Sequence, residues 1–188
     1  MISTRLINGR DAQGNWPFVV RLELYPDENF RHEYYQCGGS VINWNWILTA
    51  AHCLENIELA DIVYGQRVKG QVVYSKARLQ SRKFFVHPSY SSTDRRQNDV
   101  ALIYVPDGLP QNGHIRPICL TDRRPKRRER CYVAGWGTTA VDSRNYSTTL
   151  QEAMVPMMDV RACGRPDRIG LNFMSKSFRL TPIFPRKK

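Results

Sequence analysis

The sequence lacks several features that define whole classes of protein. No apolar run approaches the roughly 20 residues that a membrane-spanning helix needs, and residues 1–5 lack the apolar core of a signal peptide. There is no internal repeat and no long helical periodicity. No two cysteines have the Cys-x-x-Cys spacing, so the sequence predicts no zinc knuckle, no metal site and no cofactor.

What the sequence does contain is typical of a globular domain. Of its 188 residues, 41% are hydrophobic, 24% are charged and 11% are aromatic. This composition excludes disordered, collagen-like and coiled-coil chains. The length fits one domain or most of one, and it is short for a large closed barrel of roughly 200 to 250 residues.

The formal net charge of +11 is concentrated in two segments. Residues 123–130 contain six basic residues and one acidic residue, and residues 164–188 contain seven basic residues and one acidic residue. The rest of the chain is balanced. Because these basic residues are not arranged with aromatic residues as a base-stacking surface is, we expect no nucleic-acid partner.

Short apolar stretches separated by turn residues predict β-strands. The clearest is Pro17–Leu24, where apolar side chains occupy every second position. Other strands are predicted at Ser40–Ile42, Trp46–Thr49, Ile62–Gly65, Val72–Tyr74, Val100–Val105, Cys131–Trp136 and Ala153–Met157. Their even spacing predicts an all-β sandwich or barrel, with residues 106–118 as a connector between two halves and a short helix starting at Met158.

Two polar residues lie in apolar, strand-like surroundings where an unpartnered side chain would be costly to bury. They are His52, after Trp46–Ala51, and Asp99, before Val100–Ile103. Either residue alone could have a purely structural role. Together they indicate a pair in which a buried carboxylate orients an imidazole and stabilises its charged form.

Five motifs in the same order resemble those of the chymotrypsin family of serine proteases. The resemblance runs over most of residues 5–163. The motifs are Arg5–Gly9 (activation site), Cys37–Ser40 with Leu48–Cys53 (histidine motif), Asn98–Leu102 (aspartate motif), Pro117–Leu120, and Cys131–Gly137.

The resemblance implies an all-β, chymotrypsin-like double β-barrel whose second barrel is incomplete in this chain. Residues 1–5 would be the remnant of a pro-segment and residues 6–163 the protease domain. The first barrel would span about residues 6–113, and the second would begin at about residues 131–163. Residues 164–188 would form a divergent, solvated basic tail.

The resemblance also implies the roles of His52 as general base and of Asp99 as the residue that orients it. The family's glycine-flanked nucleophilic serine, its oxyanion hole and its specificity pocket have no counterpart. The serines at 143, 147, 175 and 177 lack flanking glycines, and Ser40 belongs to the histidine motif. Cleavage between Arg5 and Leu6 would create a new amino terminus, but the carboxylate that pairs with it in the family is missing.

Disulfide partners for the five cysteines can be assigned only through the resemblance. It implies a disulfide between Cys37 and Cys53, beside the histidine. Cys131 and Cys163 match positions whose partners lie further along the family's sequence. Cys119 matches one that often ties the protease to a pro-segment. We therefore expect a chain that lacks family sequence at both ends, with three cysteines left unpaired.

The basic loop of residues 123–130 allows several interpretations. It could be an ordinary solvated loop, or a site for heparin-like polyanions that uses Arg124, Lys126, Arg127 and Arg128. Residues 124–127 also resemble a furin-type processing site. A nuclear-localisation role conflicts with the disulfide pattern. Asn145 begins a glycosylation sequon.

The sequence as a whole predicts a serine endopeptidase domain that is interrupted before its nucleophile and is inactive as written. Protein or peptide substrates and an extracellular location follow from the resemblance. The alternative is a non-catalytic protease homologue that acts by binding. The cleavage preference is not predictable, because no residues match the specificity pocket.

Overall fold

A computed structural model describes residues 6, 9–65, 78–93, 97–123, 125–139, 146–157 and 184–185. This part of the chain forms two antiparallel sheets and one 3-10 helical turn, Ala51–Leu54. The strands are β1 (Arg10–Asp11), β2 (Val19–Tyr25), β3 (Tyr35–Asn43), β4 (Trp46–Thr49), β5 (Leu59–Val63), β6 (Arg78–Ser81), β7 (Lys83–Val86), β8 (Ala101–Tyr104), β9 (Arg130–Gly135), β10 (Gln151–Pro156) and β11 (Phe184–Pro185). The prediction of an all-β fold is confirmed.

The larger sheet has seven strands in the order β6-β5-β2-β3-β4-β8-β7. Its two edge strands, β6 and β7, are consecutive in sequence, so the sheet curls until its edges meet and nearly closes into a barrel. The Ser81 hydroxyl stabilises this corner. It donates to the Tyr104 carbonyl oxygen at 2.6 Å and accepts from the Lys83 amide at 3.0 Å.

The core of this barrel comes from the alternation seen in the sequence. Val20, Leu22 and Leu24 of β2 are fully buried because successive side chains of a strand point to opposite faces. A glycine is required at Gly39, since a Cβ atom there would lie 2.7 Å from Ile47 Cγ2. The two adjacent glycines of the histidine motif therefore differ, because a Cβ atom at Gly38 would meet nothing within 4 Å.

The smaller sheet has four strands in the order β1-β10-β9-β11. Its long hairpin pairs β9 with β10 from Gly135 opposite Gln151 to Arg130 opposite Pro156. Strand β11 is the described part of the segment predicted as a basic tail. It pairs with β9 through Phe184 opposite Tyr132.

A buried carboxylate joins the amino-terminal segment to this second sheet. Glu152 is 3% exposed and accepts hydrogen bonds from Trp16 Nε1 at 3.0 Å, the Gly14 amide at 3.2 Å and Arg10 Nε at 3.2 Å. Burial alone would raise the pKa of Glu152, but these bonds and one from the Gln13 amide outweigh burial and lower it. The ionised form of Glu152 therefore holds residues 10–16 against β10.

Two predicted elements, the strand Val72–Tyr74 and the helix starting at Met158, lie outside the described residues. In the described part of the chain, no helix is both long and apolar enough to cross a membrane. The proposed domain boundaries stay predictions.

Candidate active site

His52 lies on the 3-10 turn that directly follows β4. Its neighbours Ala51, Cys53 and Leu54 are buried in the core of the first barrel. They fix the turn, while the imidazole side chain keeps 22% of its surface exposed. The sequence analysis placed His52 in strand-like surroundings, and the structure shows that the strand ends at Thr49, three residues earlier.

Asp99 lies in the turn before β8 rather than in the strand itself. The preceding residue, Asn98, has a φ of 55°, a left-handed conformation that asparagine tolerates better than most residues. The Asn98 side-chain amide donates to the Ser89 carbonyl oxygen at 2.8 Å, and the backbone carbonyl oxygen of Asn98 accepts from the Val100 amide at 2.7 Å. These bonds hold the backbone in the turn that aims Asp99 inward.

Both carboxylate oxygens of Asp99 bind the same histidine. Oδ2 lies 2.8 Å from His52 Nδ1, and Oδ1 accepts the backbone amide of His52 at 2.9 Å. The Asp99 side chain is only 4% exposed. Two residues that are 47 positions apart are therefore held in one geometry by two hydrogen bonds from a nearly buried carboxylate.

This arrangement selects one form of the neutral imidazole. An ionised carboxylate can only accept hydrogen bonds, so the ring proton must lie on Nδ1 and the lone pair on Nε2. The Nε2 atom is then a base of fixed orientation at a partly exposed position. Such a group can take a proton from a hydroxyl or a water molecule and later return it.

The predicted disulfide between Cys37 and Cys53 is present, and it joins β3 to the 3-10 turn beside His52. Thr49 adds a second link, because its hydroxyl donates to the Gly38 carbonyl oxygen at 2.9 Å. The ligand-type atoms of Cys37, His52 and Cys53 all lie within 4.8 Å of one another. With both sulfurs in the disulfide, this cluster offers a metal only the imidazole.

Two other cysteines of the described chain are free thiols. Cys119 is exposed and Cys131 is buried. Burial raises the pKa of the Cys131 thiol, which disfavours its reactive thiolate form. The fifth cysteine, Cys163, lies outside the described residues.

The predicted activation site is described only in part, because Arg5 lies outside the described residues. Leu6 is buried, and its backbone nitrogen donates to the Thr138 carbonyl oxygen at 2.9 Å. Sequence reasoning found no group here that could receive a new amino terminus. The structure gives the Leu6 nitrogen a neutral carbonyl as its partner.

The basic loop is folded back on itself by one acid that sequence reasoning did not single out. Glu129 accepts from both terminal nitrogens of Arg123, at 3.0 Å and 2.6 Å, and from the Lys126 amide at 2.7 Å. These bonds lower the pKa of Glu129 to about 2. The side chains of Lys126, Arg127 and Arg128 are exposed, whereas Arg124 lies outside the described residues, as does Asn145 of the sequon.

Comparisons with known proteins show which proteins this chain is similar to. The family model for trypsin matches residues 6–178, a range that runs past Cys163. Ovochymase of Halocynthia roretzi is 32% identical over 168 residues, which cover 86% of this chain and 10% of ovochymase. Chymotrypsin-like elastase family member 1 of Rattus norvegicus is 28% identical over 165 residues, which cover 86% of this chain and 60% of the elastase. The chain thus spans less than two thirds of both relatives.

Two solved structures superpose on the same architecture. A collagenase designated HL matches with a TM-score of 0.68 and 26% identity, over 87% of this chain and 69% of the collagenase. A protein designated GrC matches with a TM-score of 0.69 and 23% identity, over 91% of this chain and 71% of GrC. At this identity the second match supports the fold alone.

Proposed function

Because the chain belongs to the trypsin family of serine proteases, we propose that it is a serine-type endopeptidase domain with His52 as general base and Asp99 as the residue that orients it. Its fold is the chymotrypsin-like all-β fold. The observation that carries the proposal is the 2.8 Å contact between His52 Nδ1 and Asp99 Oδ2. It leaves Nε2 free to accept a proton at the partly exposed face of the ring.

Peptide hydrolysis in this family needs a third group. A serine hydroxyl attacks the peptide carbonyl, gives its proton to the histidine and forms an acyl-enzyme, which water then hydrolyses. The 188 residues contain no serine flanked by glycines. Without that hydroxyl and the backbone amides that accompany it, His52 has no nucleophile to activate. We therefore propose that this 188-residue chain does not hydrolyse peptides.

The alternative is a non-catalytic homologue that acts by binding. Three exposed side chains favour a polyanion such as heparin as its ligand, namely those of Lys126, Arg127 and Arg128. Glu129 is already neutralised by Arg123, so it subtracts little from the positive charge of these three residues. The disulfide fits an extracellular location for either function.

Peptide hydrolysis tests the first proposal. The chain and its His52→Ala variant are incubated with a panel of fluorogenic peptides, before and after treatment with immobilised trypsin to cleave after Arg5. We expect background hydrolysis from both proteins in both states, because the missing nucleophile limits them equally. Hydrolysis by the parent chain that the His52→Ala variant lacks would overturn the proposed inactivity.

A further inference from the structure

The basic loop of residues 123–130 contains a motif that the proposed function does not use. Residues 124–127 read Arg-Pro-Lys-Arg and contain the one Lys-Arg pair of the sequence. We propose that the peptide bond between Arg127 and Arg128 is a processing site for an endoprotease specific for paired basic residues, and that Glu129 keeps this site closed until the loop opens.

The bond between Arg127 and Arg128 lies at the tip of an exposed turn. The Glu129 amide donates to the Lys126 carbonyl oxygen at 3.0 Å, which places Arg127 and Arg128 at the two central positions of the turn. Both side chains are exposed. Exposed loop tips with polar residues are the preferred sites of proteolytic nicking. Another protein can therefore reach the guanidinium groups on both sides of this bond.

The turn is not the conformation in which an endoprotease binds its substrate, because substrates bind with several residues extended. Arg128 has a φ of 63°, in the left-handed region. Its backbone nitrogen donates to the Met157 carbonyl oxygen at 2.8 Å. The loop must therefore open locally before the bond can be cut. When opening and closing are fast, the rate of cleavage follows the population of the open form.

Glu129 opposes this opening through three hydrogen bonds, which we call the Glu129 clasp. Its carboxylate accepts from the Lys126 amide at 2.7 Å and from the terminal nitrogens of Arg123 at 3.0 Å and 2.6 Å. These bonds lower the pKa of Glu129 to about 2, so the carboxylate stays ionised at neutral and mildly acidic pH. Because Arg123 and Lys126 precede the bond to be cut and Glu129 follows it, the clasp must break when the loop extends.

The cleavage is a hydrolysis that consumes only water. The hydroxyl of the water joins the carbonyl carbon of Arg127, its hydrogen joins the nitrogen of Arg128, and the bond between carbon and nitrogen breaks. The products are residues 1–127 with a new carboxylate and residues 128–188 with a new amino group. Together they weigh one water molecule more than the intact chain.

The two products should stay associated, because several contacts between them do not depend on the bond that is cut. Strand β1, before the cut, pairs with β10, after it. Glu152 of β10 accepts hydrogen bonds from Gly14 and Trp16. Val19 of β2 packs in the same apolar cluster as residues of the second sheet.

The disulfide between Cys37 and Cys53 lies wholly within residues 1–127, and Cys119 and Cys131 are free thiols. We therefore expect the product to be a two-chain molecule held together by noncovalent contacts. Processing goes beyond the proposed function and needs no nucleophile in this chain, because a separate protease makes the cut.

Digestion with purified furin, a protease that cleaves after paired basic residues, tests the site. The thiols of the full chain are blocked without reducing the disulfide, and the products are analysed by intact mass and by size-exclusion chromatography. We expect one cut, which yields residues 1–127 and 128–188 as fragments that elute together and separate only in denaturant. Arg127→Gln should prevent this cut.

Three results would overturn the site or its product. The first is a parent chain that furin leaves intact, and the second is a first cut at any bond other than that between Arg127 and Arg128. The third, fragments that separate without denaturant, would show that no two-chain molecule forms. A parallel incubation without furin should leave the chain uncut, so the outcome is independent of whether the chain itself hydrolyses peptides.

A second experiment tests the Glu129 clasp. Glu129→Ala removes all three bonds, and furin should cut this variant about three- to tenfold faster than the parent chain. The substitution also changes the sequence that the protease reads. Each rate is therefore divided by the rate for a synthetic peptide of residues 121–132 with the same residue at position 129, in which no fold supports the clasp.

The matched control is Glu33→Ala, which removes an exposed acid elsewhere and should leave the rate of cleavage unchanged. A corrected rate for Glu129→Ala equal to that of the parent chain would show that Glu129 does not keep the site closed. An equal acceleration by Glu33→Ala would do the same, because it would attribute the effect to the loss of any negative charge.

Discussion

The two sheets of this protein differ in how they are stabilised. In the described chain, the core of the seven-stranded sheet contains 17 buried residues, whereas the cluster beside the four-stranded sheet contains five. The first sheet nearly closes on itself at Ser81 and is cross-linked by the disulfide between Cys37 and Cys53. The second is joined to the first by that small apolar cluster, which includes Val19 of β2, and by Gln36 Nε2, which donates to the Trp136 carbonyl oxygen at 3.2 Å. Within the second sheet, Glu152 holds the amino-terminal segment.

The difference bears on the candidate site, because the contacts of its two residues lie in the first sheet. His52 follows β4 and Asp99 precedes β8, both strands of the first sheet. Every contact described for these two residues lies within that sheet and its turns. We therefore expect equivalent changes to lower the free energy of unfolding more in the first sheet than in the second.

Shortening one buried leucine in each core should give the largest difference in the free energy of unfolding. Leu22 is fully buried in the first barrel, and Leu22→Ala should lower the free energy of unfolding by about 3 to 5 kcal/mol because it leaves a cavity. Leu150 lies in the smaller cluster, and Leu150→Ala should cost about 2 kcal/mol. Urea unfolding followed by tryptophan fluorescence measures both, and equal losses would contradict the difference between the sheets.

Removal of the disulfide should have the next largest effect. Cys37 and Cys53 are 16 positions apart, and opening a loop of that size should cost about 3 kcal/mol in the chain-entropy description. We expect this loss from Cys37→Ala combined with Cys53→Ala, measured by urea unfolding. The control is Cys119→Ser, an exposed free thiol, which should change stability by less than about 0.5 kcal/mol.

Glu152 provides a pH-dependent test of how the second sheet is attached. Its folded-state pKa is lowered from 4.5, so its ionised form contributes stability above that value, and the contribution is lost as the pH falls through the lower, folded-state pKa. At neutral pH, Glu152→Gln should cost about 1 to 3 kcal/mol, since a buried charged acceptor is lost. The cost should shrink in acid.

The matched control for this test is Glu33→Gln, a change of the same type at an exposed position. Urea midpoints of the three proteins between pH 7 and pH 3 are compared. A Glu152→Gln effect that is the same at every pH, or a matching effect from Glu33→Gln, would show that the ionised Glu152 does not hold the segment.

Removing charge from the basic loop should give the smallest effect, a modest loss of heparin affinity. Arg127→Gln with Arg128→Asn removes two exposed charges, and asparagine suits position 128, where φ is 63°. Heparin affinity should fall several-fold, about 1 kcal/mol, and the difference should vanish at high salt. The control combines Arg31→Gln and Arg82→Gln, two exposed arginines of the first sheet region. Equal heparin binding by both double variants would leave the loop as an ordinary solvated surface.

Strand prediction located the strands of the core but not all their bounds, and it missed edge strands. The buried β5, Leu59–Val63, was predicted as Ile62–Gly65, and β3, Tyr35–Asn43, was predicted only at Ser40–Ile42. Trp46–Thr49 was predicted with the bounds it has, because its residues alternate between buried and half-buried positions. Strands β6 and β7 were not predicted. Arg78–Ser81 and Lys83–Val86 expose most of their side chains, so their strand form comes from pairing with β5 and β8 rather than from a pattern of their own.

For the candidate site, too, the sequence indicated local features but not the contacts that the fold creates. The apolar surroundings of His52 and Asp99 indicated a pair, and the family resemblance gave each residue a role, but only the fold brings the two side chains to 2.8 Å. Glu152 lies just before the strand predicted at Ala153–Met157, and its partners at Gly14 and Trp16 are too distant in sequence to signal a contact.

Labelling with a fluorophosphonate tests the central claim most directly, because this reagent needs a serine activated by a neighbouring base. The 188-residue chain, its His52→Ala variant and a catalytically competent trypsin are treated together and analysed by mass spectrometry of the intact proteins. We expect stoichiometric labelling of trypsin and none of either form of the chain, since the proposal gives His52 no serine to activate. Labelling of one serine in the parent chain, abolished by His52→Ala, would contradict that claim.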